Sequence, residues 1–171
     1  VGYCEVSDER EGKGMNREIK FRGKPLEDVY FDNIGVHISK DDFVYGNLIV
    51  DGEQAWIVKG VIESTNDYIT LEQWIPIDPN TIGQFTGQYD RVEKPILEIY
   101  SGDIVKNIFT NEIFVILWTI EGYYSCIPIN IYNSEKNISN YIAEMKPHFT
   151  NVYDYYNTME IIGNIHDKED V

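Results

Sequence analysis

Residues 103–129 read DIVKNIF-TN-EIFVILWTI-EG-YYSCIPI. Three apolar runs are separated by two polar pairs, Thr110-Asn111 and Glu121-Gly122. The runs are rich in Ile, Val, Phe, Tyr and Trp, whose branched or flat side chains pack well on a pleated surface. Two-residue breaks containing Asn or Gly tolerate the positive φ that a tight hairpin demands. The stretch therefore predicts three antiparallel strands, Asp103–Phe109, Glu112–Ile120 and Tyr123–Ile129. It sets the fold class as mainly β.

The same alternation extends towards the N-terminus. From Arg17 onward, Ile19 and Phe21 fall on one side and Glu18, Lys20, Arg22 and Lys24 on the other, the period of a half-buried strand with a basic outer face. Val29-Tyr30-Phe31 predicts a second short strand, and Asp32-Asn33 with Ile34-Gly35 a turn. Phe43–Val50 and Ala55–Ile62 flank Asp51-Gly52, a strong hairpin signal, and Gly46 marks a bulge or a close backbone approach. Ser64-Thr65-Asn66-Asp67 forms a turn before the strand Tyr68–Ile77, which Pro76 ends or confines to a sheet edge. After the turn Asp78-Pro79-Asn80 comes a short strand, Thr81–Phe85, and then residues 86–98, whose glycine, proline and few paired apolar positions read as an exposed loop.

Beyond the meander, Ser134 is a candidate N-cap for one amphipathic helix with Ile138, Tyr141, Ile142 and Met145 as its apolar stripe, stopped by Pro147. A final strand, Met159–Ile165, precedes a charged tail. Residues 1–14 are polar and read as a flexible extension or a remnant of cloning, with the domain spanning 15–171. Many short strands with one helix in the C-terminal half make a β-rich α+β fold of small-barrel type.

A single domain of 171 residues buries roughly 70% of the surface its unfolded chain exposes, enough to fold without a metal or disulfide staple. Its net charge is −15, from 29 acids and 14 bases, which repels phosphate polymers at long range. Eight of the acids lie between residues 61 and 105, against Arg91 and Lys94 alone. They form either a solvated face or a patch that docks a partner or mimics nucleic acid. Cys4 and Cys126 make no disulfide framework, and Cys126, inside an apolar run, reads as a small core residue. No run approaches the ~18 apolar residues that a membrane span needs, and the expected location is the cytoplasm.

No catalytic constellation stands out. His37, His148 and His166 lack ligand-spaced partners, so no metal site is expected. Gly83–Gly87 is followed by neither Lys-Ser/Thr nor a helix start, which excludes a phosphate loop. Ser125 lacks the glycine frame of a nucleophile elbow. The expectation is a protein without enzymatic activity or cofactor.

Four segments in order carry a family resemblance: Arg17–Lys24 (REIKFRGK), Val44–Ile49 (VYGNLI), Ile77–Gly87 (IDPNTIGQFTG) leading into Ser101-Gly102-Asp103-Ile104-Val105, and the closing Ile162-Gly163-Asn164-Ile165. Together they resemble the YopX family of phage and prophage proteins. The resemblance implies an SH3-like barrel core with added strands and hairpins, a mobile-element origin and association into oligomers. It supplies no catalytic residue. The chain departs from the family pattern between Gln88 and Glu98, where a compact turn is usual.

Two candidate binding surfaces follow. One is the row Lys20, Arg22 and Lys24, suited to phosphates or to an acidic partner, or else guarding an edge strand against pairing. The other is Tyr153, Tyr155 and Tyr156, suited to anchor a protein contact or to cover the end of the barrel. The leading expectation is a phage accessory protein that binds host or phage proteins or its own copies. Nucleic-acid binding through the barrel face is an alternative that the net charge disfavours. An acidic inhibitor using Glu63, Asp67 and Glu72 is a third.

Overall fold

The computed structural model describes residues 18–31, 35–90, 96–119, 122–134 and 158–167. Among these residues twelve strands run in the order β1 (Phe21–Gly23), β2 (Val29–Phe31), β3 (Val36–Ile38), β4 (Val44–Asp51), β5 (Gln54–Ser64), β6 (Ile69–Ile77), β7 (Gly83–Asp90), β8 (Leu97–Tyr100), β9 (Asp103–Asn107), β10 (Ile113–Trp118), β11 (Tyr124–Pro128) and β12 (Met159–Asn164). A 3-10 turn, Pro79–Thr81, separates β6 from β7, and a single helical turn, α1 (Ile129–Tyr132), follows β11. The protein is mainly β, with every pairing between these strands antiparallel.

Among the described residues the strands form a six-stranded sheet in the order β6-β5-β4-β1-β7-β8, a four-stranded sheet in the order β11-β10-β9-β12, and the β2–β3 hairpin. The expected barrel closure does not occur among these residues; the sheets are open. The reason lies at Ser101-Gly102, where the chain leaves the six-stranded sheet after β8 and enters the four-stranded one with β9. The edges β8 and β12 belong to different sheets and share no ladder.

The hairpin at Asp51-Gly52 forms as the sequence predicts, with Asp51 opposite Gln54 and Gly52 at φ 59°. That left-handed backbone is cheap only without a Cβ. The meander also forms, β9 on β10 and β10 on β11. Pro76 does sit in an edge strand, since β6 ends the sheet order.

The loop expected over 86–98 is corrected. β7 continues to Asp90, and β8 begins at Leu97 and pairs with it. Few apolar positions mark this strand because its buried groups are polar and satisfied: Thr86 Oγ1 donates to the Ile99 carbonyl at 2.8 Å, and Asp90 accepts from the Ile161 N–H at 3.0 Å. Phe85 is buried between β8 and β1, and Gly83 makes the close approach possible. A Cβ on Gly83 would lie 2.6 Å from the Ser101 carbonyl oxygen. The amphipathic helix expected after Ser134 lies outside the described residues.

Each large sheet has its own apolar cluster. Val44, Ala55, Ile57, Ile75 and Ile77 pack under Phe21, Val29, Phe31, Ile38, Leu48 and Ile82. Ile99, Val105, Phe114, Ile116, Tyr124, Cys126 and Met159 pack with Ile161 in the second. Full burial of such a side chain contributes about 1.5–3 kcal/mol. Cys126 is therefore a core residue, as its apolar setting in the sequence suggests.

Directly paired residues in a sheet share a face. Leu48, Ile57 and Ile75 form a cross-strand row that faces the first core. The next row, Ile49, Trp56 and Pro76, faces outward, with Trp74 beside it. β5 outruns β4: residues 55–58 have β4 on one side and β6 on the other, whereas Val61–Ser64 pair with β6 alone.

Candidate functional site

The basic row Lys20, Arg22 and Lys24 does share one face of the chain, but the structure corrects where that face points. β1 is an interior strand between β4 and β7, so guarding an edge is not its role. Arg22 is 5% exposed, while Ile19, expected inside, is 66% exposed. The row meets acids. Lys20 Nζ donates to both carboxylate oxygens of Glu98, at 2.7 and 2.8 Å. Arg22 Nη2 donates to Asp103 Oδ1. Lys24 Nζ reaches Asp167 Oδ1 at 3.1 Å and the His166 carbonyl at 2.9 Å. Alternating polarity in a sequence reads the same whether the polar face meets water or a second sheet.

Asp103 opens β9, and its carboxylate is the hub. It accepts from Arg22, from the Tyr100 backbone N–H at 2.7 Å and from Asn164 Nδ2 at 3.2 Å. Burial pushes its pKa up, and the Arg22 charge opposes that. Three converging donors and the adjacent guanidinium favour the ionised, acceptor-only carboxylate against that burial. The guanidinium stacks over the rings of Phe43 and Tyr100, 4.3 and 4.7 Å from their centroids. Its Nε has no hydrogen-bond partner among the described residues.

Beside this hub lies an open cleft of about 590 Å³ with Lys20, Arg22, Tyr45, Glu98, Tyr100 and Ile161 in its lining. Tyr100 Oη donates to Glu98 Oε2 at 2.6 Å. Burial raises the Tyr100 pKa strongly, with Glu98 adding to it. Burial also pushes Glu98 up, but hydrogen bonds from Lys20 and Tyr100 outweigh it and hold the carboxyl below its ordinary range. His166 is held low by burial first and then by Lys24 and Arg22. The cations of the cleft are thus already neutralised by protein carboxylates. Tyr153, Tyr155 and Tyr156 lie outside the described residues. No group of three His, Cys, Asp or Glu side chains among the described residues could hold a metal ion.

The feature that sequence reasoning missed lies on the same face of the six-stranded sheet as Arg22 and Tyr45, out towards the β6 edge. Trp74 is 54% exposed, and its ring packs on that of half-buried Trp56 with centroids 5.2 Å apart. Ile49 and Pro76 are exposed in the same patch. At its end, Leu26, Trp56, Pro76 and Pro79 frame a groove of about 230 Å³ with Glu53 and Gln54 at its polar side. The signal was present in the strand Tyr68–Ile77: Trp74 and Pro76 alternate out of phase with Ile75 and Ile77, so one strand has two apolar faces and only one core to fill.

Comparison with known proteins gives one match. The family model described as YopX protein covers residues 39–170. The matched range begins after β3, so the Arg17–Lys24 segment precedes it. No curated protein and no solved structure matches.

Proposed function

We propose that this chain, which belongs to the YopX family, is a non-catalytic accessory protein of phage or prophage origin that works by protein–protein contact in the host cytoplasm. The observation that carries this reading is the outward Trp56–Trp74 pair with Ile49 and Pro76 beside it. Rigid aromatic side chains on a well-ordered sheet are the usual anchors of protein interfaces, because they bury large area at little entropic cost. Contiguous exposed apolar surface of this kind marks a contact site. In this reading the two linked sheets are an elaborated SH3-like core, and the partner is another chain or a second copy.

The nucleic-acid reading loses its residue-level support, since Lys20, Arg22 and Lys24 each sit against a carboxylate. The acidic-inhibitor reading keeps one observation: Glu63, Asp67 and Glu72 are exposed around the β5–β6 ribbon.

The experiment compares affinity purification from the producing host for the wild type and Trp74→Arg, with size exclusion and light scattering on both. A partner or an oligomer present with wild type and lost with a folded Trp74→Arg supports contact through this face. Identical retained proteins and identical mass for the two would overturn it.

A further inference from the structure

The groove at the end of the aromatic patch is built for a particular backbone. We propose that it takes a proline-rich segment in the polyproline II conformation, with an arginine or lysine flanking the prolines. This names the partner chemistry of the contact face proposed above and rests on that reading.

Strand addition is blocked at the groove. The Leu26 N–H already donates to the Pro76 carbonyl at 3.2 Å, Pro25 bridges to Ile77, and Pro76 has no N–H. The β6 edge therefore offers no free ladder to an extended strand at that point. A ligand must be held by side chains, which suits polyproline II, whose backbone makes no internal or ladder hydrogen bonds and stays solvated.

The walls fit that class. Leu26, Trp56, Pro76 and Pro79 give flat or rigid apolar surfaces, and Gln54 supplies a carboxamide that can donate to a ligand carbonyl. At about 230 Å³ the groove is smaller than the roughly 300–1,000 Å³ of a small-molecule site. It seats parts of a chain lying across it. Because polyproline II is preformed, little ordering entropy opposes binding.

Charge selects the flank. The groove lining contains Glu53 and no base, and the whole chain carries −15. A cationic residue next to the prolines meets Glu53, and an acidic one is repelled.

The test titrates the full chain with a synthetic Arg-Pro-Leu-Pro-Pro-Leu-Pro peptide, following tryptophan emission and amide shifts. Controls are the same peptide with its prolines replaced by alanine, and with its arginine replaced by glutamate. Saturable binding is expected for the first peptide only. Leu26→Ser should weaken it at least about fivefold, as loss of an anchoring contact does. Glu53→Lys should weaken it about threefold and improve the glutamate peptide, as a rim charge does. Leu26 is 62% exposed and Glu53 is exposed, so both variants keep the fold. Equal binding of the alanine peptide, or indifference to both substitutions, would overturn the assignment. If no peptide binds while a partner is still lost with Trp74→Arg, the proline-rich ligand is wrong and the contact face stands. If neither is seen, both fall.

Discussion

Arg22 on β1 and Asp103 on β9 stand 81 residues apart in the chain and meet as a buried ion pair between the two large sheets. Their exposures, 6% and 2% of the side chain, place the pair out of water. A pair so placed is costly to break from one side, because the remaining charge has no partner. Asp103→Ala should therefore lower unfolding free energy by about 3–5 kcal/mol in urea titration. Arg22→Met combined with Asp103→Leu should recover only part of that loss, because the Tyr100 N–H and Asn164 Nδ2 lose their acceptor. A single variant as stable as wild type would contradict the role of the pair.

The Lys20–Glu98 pair should behave differently because it lies nearer to solvent, with side-chain exposures of 28% and 25%. The folded-state pKa of Glu98 is below the ordinary 4.5. Between those two values the unfolded chain binds more protons, so stability rises with pH there and is lost as pH falls through the folded value. Wild type should exceed Glu98→Gln at neutral pH by less than about 1 kcal/mol, as exposed pairs do. The two stability curves should converge in acid. A constant difference down to low pH would remove the carboxylate as its source.

Close packing makes a sharper prediction at two glycines. Gly83→Ala places a methyl against the Ser101 carbonyl, where the two strands cannot separate without moving β8. A loss of about 1–3 kcal/mol is expected. Gly52→Ala meets no neighbour within 4 Å and suffers only from its φ of 59°. Its loss should be about 1 kcal/mol, and Gly52→Asn should recover part of it. Thermal melts of the three variants check the order.

Cys126 should resist alkylation in the native protein. Its side chain lies in the second apolar cluster at 7% exposure, and a buried thiol in apolar surroundings is unreactive. Labelling at Cys126, read by peptide mass, should rise only as denaturant unfolds the domain. Rapid native labelling there would contradict its place in the core.

What the sequence made legible was local. The Asp51-Gly52 hairpin and the β9–β11 meander depend on turn chemistry and side-chain type within a few residues, and both appear in the structure. The second half of β7 and all of β8 were hidden, because buried Thr86 and Asp90 look like loop residues until their partners Ile99 and Ile161 are known. The Lys20, Arg22 and Lys24 row shows the limit most clearly. Alternation placed the three on one face, but only tertiary structure brought Glu98, Asp103 and Asp167 to meet them. The aromatic patch was legible in part: Trp74 and Pro76 lie in phase with each other, yet the pairing with Trp56 depends on the β5–β6 register.

Beyond residue 60 the β5–β6 ribbon has one neighbour per strand, and its turn at Thr65–Tyr68 closes on itself, with Thr65 and Tyr68 sharing backbone and hydroxyl hydrogen bonds. A loop held by hydrogen bonds among its own residues is a natural point of insertion. An epitope or fluorophore placed between Asn66 and Asp67 would leave both apolar clusters intact, and would tether the protein to a sensor chip with its tryptophan face still open to whatever flows past.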